Sequence, residues 1–274
     1  MKQVIYIAFI WTLISGCKKE SFIIENINNN KIEVLGHGGM GISNLYPINS
    51  LESISNCVAL DADGSEIDVQ ITKDGVLVAF HDSELSASTD MSGIIHSLSW
   101  EELKNAEYTN VPYAGYSIVK LDEIFSSLEE YQSHTFTLDI KLYPEITDLN
   151  FYYEVYSDAI IDFFDMYNLE SNVFIESQNP DFLNLVQSKR PNYRLYYYPQ
   201  EFEDGLTVAI DNGFQGISIS NKVISIDDVA RAHKHGIFVT IWGVDTKEEN
   251  IDAIRKSPDM IQTDKVDYLV KLLK

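Results

Sequence analysis

The stretch "EIDVQITKDGVLVAFHD", Glu66 to Asp82, carries two carboxylates two residues apart, a Lys-Asp-Gly turn, and a returning arm that ends on a histidine and an aspartate. From Glu66 to Ile71, polar Glu66, Asp68 and Gln70 alternate with apolar Ile67, Val69 and Ile71. A period of two puts the two kinds on opposite faces of a strand, so Glu66 and Asp68 point the same way. "TKDG", Thr72 to Gly75, is turn chemistry and far too short for the crossover that joins parallel strands. The two arms therefore pair as a hairpin, and folding about Asp74 sets His81 beside Ile67, within reach of the carboxylate face. A solvated edge hairpin would show the same pattern, so the stretch needs support from elsewhere in the chain.

That support comes from two further places. "HGG" puts His37 at the end of an early apolar run, and "LDIK" puts Asp139 and Lys141 two apart, again able to share one face. Three carboxylates drawn together repel one another and raise their pKa values unless a cation sits among them. Mg²⁺ or Ca²⁺, which prefer oxygen ligands, would remove the conflict. Two imidazoles, with an ordinary pKa of about 6.5, can share proton traffic, one taking a proton and one giving it. An anionic substrate fits this combination, because its charge repels a nucleophile until a cation offsets it. Lys141 would neutralise one of its oxygens.

Positioning these groups requires a scaffold that brings distant strand ends together. Short apolar runs recur: "IEVLGH" at 32–37, "EIDVQI" at 66–71, "TFTLDIKL" at 135–142, "NVFIES" at 172–177, "YRLYYY" at 193–198, "GISIS" at 216–220, "FVTIWGV" at 238–244 and "DMIQTD" at 259–264. Helical patterns lie between them, in "NSLESISNCVAL" with Ser50 as cap, "YEVYSDAIIDFFDMY", "PDFLNLVQSK", "SIDDVARAHKHG" and "KEENIDAIRKS". Strands alternating with helices imply a parallel sheet, and eight such units imply an α/β fold of the TIM (β/α)8 barrel type, with a hairpin after strand 2. A doubly wound sheet is the competitor, but no GxGxxG follows the first strand. The interval 83–133 exceeds one connection, and "LSWEELKNAEY" and "SIVKLDEIFSSLEEY" read as helices of a small insertion above the barrel's carboxyl end. In such a barrel, functional groups collect at the carboxyl ends of strands, where His37, Glu66, Asp68, Asp139, Lys141 and Trp242 all fall. Glu176 also ends a strand, and pocket and solvent are equally open to it.

The charge balance bears on partners. Forty-two acidic residues against twenty basic give a net charge of −22, which argues against binding nucleic acid or an anionic membrane surface non-specifically. An anionic small-molecule substrate would be repelled unless a metal intervened. The N-terminus reads separately: Lys2, the apolar run Val4 to Ile14, then "SGC" ending at Cys17, the layout of a signal peptide over 1–16 and too short to span a bilayer. "LISGC" resembles a bacterial lipobox, which implies lipidation of Cys17. The polar, Asn-rich residues to 31 then read as a flexible tether, and residues 32–274 as the barrel. The expected location is the bacterial cell envelope, membrane-anchored through lipid and facing periplasm or exterior. Cys57 would be left as the one remaining cysteine, a buried one with no disulfide partner.

"HGG", "NSLES", "EIDVQITKDGVLVAFHD", "LSWEELKNAEY", "IVKLDEIF", "LDIK", "WGVDT" and "IQTD" occur in the order and spacing of the glycerophosphodiester phosphodiesterase family, which the chain resembles from about Val34 to Leu272. The resemblance implies a TIM barrel that hydrolyses phosphodiesters with one divalent metal, Ca or Mg, held by Glu66, Asp68 and Asp139. It implies that His37 and His81 act as general base and acid, and that the attacking hydroxyl can be the substrate's own glycerol, through a cyclic phosphate. Lys141 and Trp242 are the expected substrate contacts. The chain departs from the family at "HR", where it has Gly38, at "PENT", where "PINS" supplies Ile48, and at the third ligand, Asp139 for a usual glutamate. Gly38 removes a bidentate phosphate grip that a lysine does not fully replace. Two rivals follow: a lipid-anchored binding protein that kept the barrel and lost turnover, and a glycosidase with paired carboxylates. Two intact histidines oppose the first, and Glu66 and Asp68 stand too close on one strand to flank a sugar bond.

Overall fold

In the computed structural model, residues 21–43, 45–110, 112–143 and 148–274 are described. Strands Glu33–Gly36 (β1), Gly64–Ile71 (β2), Leu77–Ala79 (β3), Val119–Lys120 (β4), Thr135–Ile140 (β5), Val173–Ser177 (β6), Arg194–Tyr197 (β7), Gly216–Ser220 (β8), Phe238–Val244 (β9) and Met260–Thr263 (β10) form one sheet. Its order is β1-β10-β9-β8-β7-β6-β5-β2-β3-β4, and an additional β1–β2 pairing closes it. The closed part is a parallel barrel of eight strands, leaving β3 and β4 outside. Helices Leu51–Ala59 (α1), Trp100–Leu103 (α2), Leu121–Ser127 (α3), Leu149–Tyr167 (α4), Pro180–Lys189 (α5), Phe202–Asn212 (α6), Ile226–Lys234 (α7), Lys247–Arg255 (α8) and Val266–Leu273 (α9) complete the described elements. This is the expected TIM barrel, with the expected hairpin after the second barrel strand.

Local signals start several helices where expected. The Ser50 side chain accepts from the Ser53 N–H to open α1, and Ser225 with Asp228 and Thr246 with Glu249 form capping boxes at α7 and α8. The alternation in each strand sorts the core. Ile67, Val69, Ile175, Ile217, Val239 and Ile241 join the apolar layer shared with the helices, while Leu35, Phe174, Tyr196 and Met260 form a separate plug inside the barrel. Above that plug the interior is polar, and Glu66, Asp68, Asp139, Glu176 and Gln262 are all buried there.

The structure differs from the sequence reading in four places. Helix α6 has Gly205 in its interior, which lowers its helical propensity. A Cβ there would stand 2.5 Å from Pro199 Cγ, so packing selects this glycine and overrides propensity. Helix α9 has Lys265 at its N-cap position, with no side-chain cap to mark its start. The expected helix at 117–131 begins only at Leu121, because Val119 and Lys120 pair with Ala79 and Val78. Residues 22–31, the latter part of the expected flexible tether, lie against the barrel. Asn26 donates to Pro258 O and Lys31 O, Asn28 N–H donates to Asp259, and Phe22 and Ile24 pack on the core. Asn-rich sequence looks like linker by composition, but asparagine side chains also satisfy backbone groups. The expected signal peptide and the expected lipidation site at Cys17 lie outside the described residues. Among those residues, no helix is long and apolar enough to cross a membrane.

Candidate active site

The hairpin delivers its groups as its register requires. Val69 pairs with Ala79 and Gln70 with Val78, and Phe80 N–H donates to Asp68 O, which brings His81 back beside the acidic face of β2. Gln70, third in the polar alternation, donates to both Phe80 O and Asp82 O at 2.8 and 2.9 Å. The peptide units flanking His81 are thus fixed from below. On the other side of β2, the parallel register sets Asp68 against Asp139, and Asp139 in turn against Glu176. Glu66 lies one pleat deeper, opposite Thr137.

Glu66, Asp68 and Asp139 are buried, and each offers a carboxylate oxygen within 4.8 Å of the other two. Lys141 Nζ lies 2.8 Å from Asp68 and 2.5 Å from Asp139. One cation cannot balance three anions. Burial, then the charge of Asp68, therefore pushes the Glu66 carboxyl well above its usual range. Burial opposes the charged form of Asp68 too, but Lys141 and both imidazoles outweigh it and keep this carboxyl low. Burial holds Asp139 raised. The Gly38 N–H donates to Glu66 Oε2 at 2.8 Å, while Glu66 Oε1 is buried with no hydrogen-bond partner. An orphaned oxygen in a three-carboxylate cluster fits a hard divalent cation.

Each histidine is held by a carboxylate at Nδ1. His37 Nδ1 is 2.8 Å from Asp264, whose same oxygen accepts from the Ile42 N–H at 3.0 Å. His81 Nδ1 is 2.9 Å from Asp82, which also accepts from Ser88 at 2.8 Å. In both, Nε2 is left as the nitrogen available for proton transfer. Burial disfavours the His37 imidazolium, but the bond to Asp264 and the charge of Glu66 outweigh it, raising His37 to about 9.

Sequence reasoning missed several of these supports. Asn49 adopts a left-handed φ of 66°. Its side chain both donates to Asp68 Oδ2 at 2.7 Å and accepts from the Asp68 N–H at 2.9 Å. Asp264 and Asn49 sat in plain view in "IQTD" and "PINS", but nothing local says which groups they hold. Glu176, left open between pocket and solvent, is buried in the barrel; burial and Asp139 push it up to about 8, while Gln262 donates to it from 3.3 Å. Trp242 pairs with Ser220 at the strand end, as expected, and its ring lies 5.0 Å from that of Tyr198. The Tyr198 phenol is raised by burial and by the charge of Asp139.

Two cavities flank the site. One of about 420 Å³ opens beside Asp139 and Lys141 and is lined by Tyr143, Ser177, Gln178 and Asn179. The other, about 180 Å³, lies between Pro47, Ile48, Phe80, His81, Tyr108 and Tyr113. A larger depression of about 710 Å³ beside Asp165 and Arg194 contains none of these groups. Titratable chemistry, not size, locates the site.

Residues 40–268 match the Glycerophosphoryl diester phosphodiesterase family. A glycerophosphodiester phosphodiesterase of Caldanaerobacter subterraneus subsp. tengcongensis is 27% identical over 252 residues, covering 89% of this chain and 98% of that one. An Oleispira antarctica phosphodiesterase, solved in complex with the product sn-glycerol-3-phosphate, superposes with a TM-score of 0.77 at 19% identity, covering 89% of this chain and 97% of its own. A glycerophosphodiester phosphodiesterase from Parabacteroides distasonis gives 0.75 at 22% identity, with coverage of 89% and 97%. At these identities the solved structures show the shared barrel.

Proposed function

We infer the function from one premise: this chain belongs to the glycerophosphoryl diester phosphodiesterase family and is a hydrolase of phosphoric diesters. The reading is cleavage of a glycerophosphodiester to glycerol phosphate and an alcohol, with one divalent metal, Ca or Mg, and two histidines moving the protons. The observation that carries it is the convergence of Glu66, Asp68 and Asp139 between two imidazoles whose Nδ1 atoms are each anchored by a carboxylate.

Glu66, Asp68 and Asp139 would hold the metal. When bound, it polarises the phosphate and offsets charge developing on its oxygens. Against burial, the bond to Asp264 and the charge of Glu66 raise His37 to about 9, which makes its neutral form a strong base. Neutral His37 then takes a proton from the attacking hydroxyl at Nε2, and Asp264 stabilises the imidazolium that forms. His81, oriented by Asp82, gives a proton to the leaving oxygen. Where the attacking hydroxyl is the substrate's own, a water then opens the cyclic phosphate, His81 taking the water's proton and His37 returning its own to the glycerol oxygen. Lys141 turns from Asp68 and Asp139 to a phosphate oxygen, and Trp242 with Tyr198 walls the mouth. In solution, the test is product release from a panel of glycerophosphodiesters, with and without chelator. Turnover that survives excess chelator ends the metal mechanism, and binding without turnover leaves the binding-protein reading.

The expected signal peptide, lipidated Cys17 and envelope location remain part of this reading, supported by "LISGC" and the apolar run before it. With residues 22–31 held on the barrel, only 18–21 would separate an anchor from it. One acyl chain binds a membrane marginally, so more than one would be needed. Replacing Cys17 with Ser should move the protein out of the membrane fraction or leave its precursor uncleaved. An unmodified Cys17 in the mature chain would exclude the anchor.

A further inference from the structure

The mouth of the site is asymmetric, and the asymmetry lies in the chemistry of its two cavities. Beside Lys141 the lining sets hydroxyls and amides, from Tyr143, Ser177, Gln178 and Asn179, among apolar Leu142 and Leu149. Such groups suit a glycerol moiety, whose hydroxyls need partners when buried. Beside His81 the lining is mainly Pro47, Ile48, Phe80 and the rings of Tyr108 and Tyr113, with Asp82, Ser88 and Asn110 as its polar members. Ile42 continues this wall outward and is 63% exposed, as is its near neighbour Leu45. An apolar path thus runs from the surface to a proposed proton donor.

The wall is built rather than incidental. Tyr113, from the insertion after β3, donates from its hydroxyl to Ser43 O and ties the insertion to the loop after β1. Tyr108 packs its ring 6.1 Å from that of Phe80. The Ile42 N–H is held by Asp264, the carboxylate that also holds His37. The apolar lip and a catalytic imidazole are therefore fixed by one side chain. In volume, the cavity's 180 Å³ exceeds the roughly 150 Å³ in which an apolar protein cavity takes up benzene.

We propose that this cavity receives an apolar substituent of the substrate, so that the preferred diesters carry a short alkyl chain or a single ring on the side of phosphorus that His81 serves. The proposal rests on the phosphodiesterase reading above and assigns its alcohol. Of the polar lining groups Asp82 is already engaged by His81 and Ser88, so polar groups of a head alcohol set against Ile48 and Phe80 would go unpaired. Each methylene buried there favours binding by a factor of about four.

The test compares the ethyl, hexyl and benzyl esters of glycerol phosphate on the full chain with saturating metal. The hexyl and benzyl esters should exceed the ethyl ester in kcat/KM by about tenfold or more. Ile42→Glu and Ile48→Glu should each bring that ratio to within about threefold of one. A ratio cancels differences in folded fraction, and Ile42 is exposed enough for its variant to fold. Calorimetric binding of hexyl phosphate against ethyl phosphate gives the same comparison without turnover. Tighter binding of hexyl phosphate by a protein that cleaves no diester would support the cavity and sink the hydrolase reading. Equal binding and equal turnover of the alkyl series would overturn the cavity's role alone, as would a preference unchanged in both variants.

Discussion

A Cβ atom on Gly38 would stand 2.6 Å from the Cβ of Ile48, and Gly38 itself sits at a φ of +52°. The two positions are therefore in contact, and the backbone between His37 and the Glu66 bond depends on their fit. Gly38→Ala should destabilise the protein by about 2–4 kcal/mol, from a left-handed conformation and an overlap together. Pairing it with Ile48→Gly removes the overlap but not the strained φ. The double-mutant cycle should return a favourable coupling of about 1 kcal/mol or more, read from urea midpoints. Additive effects would show that the two residues do not share the site.

Asn49 bonds Asp68 twice, so Asn49→Ala should loosen a metal ligand without touching the substrate. We expect metal affinity to fall about 10–100-fold, with kcat recovered at saturating metal. Glu66→Gln, Asp68→Asn or Asp139→Asn should not be rescued in this way. A metal titration of activity separates the two behaviours, and an Asn49 variant with unchanged affinity would remove its positioning role.

His37→Ala and His81→Ala should each lower kcat by about 10² or more with the fold intact. Loss confined to KM would assign them to binding instead. Asp264→Asn removes the negative charge that helps to raise His37, so the pH at which His37 titrates should fall from about 9, visible by NMR in metal-free protein. The sign for stability follows. The contribution from protonated His37 is complete below about 6.5 and is lost as pH rises through about 9. Unfolding of the Asp264→Asn variant should lack that loss. The imidazole is 34% exposed, and solvent screens part of the effect.

Glu176 acts in the same direction for a different reason. Folded, it keeps its proton up to about 8, whereas the unfolded carboxyl releases it near 4.5. The folded state binds the extra proton between those values, so stability falls as pH rises through that window. Glu176→Gln mimics the protonated acid and should flatten the fall. Urea unfolding of metal-free protein between about pH 5 and 9 checks it, and parallel curves for the two proteins would show that Glu176 is ionised in the fold.

Much of this architecture is determined by sequence alone, wherever the governing interaction is short in range. Period-two alternation put Glu66 and Asp68 on one face, "TKDG" closed the hairpin onto His81, and alternating strands and helices implied the barrel; each follows from residues within a turn or a strand of one another. Tertiary structure alone decided the partners. Asp264 reaches His37 across 227 positions of chain, Asn49 reaches Asp68, and the apolar wall joins Ile48, Phe80 and Tyr113 from three separate segments. It also docked 22–31, whose Asn-rich composition reads as linker, and turned Glu176 inward. A strand fixes which way its side chains point, but what they meet depends on barrel closure and register, and these are set by the whole core at once.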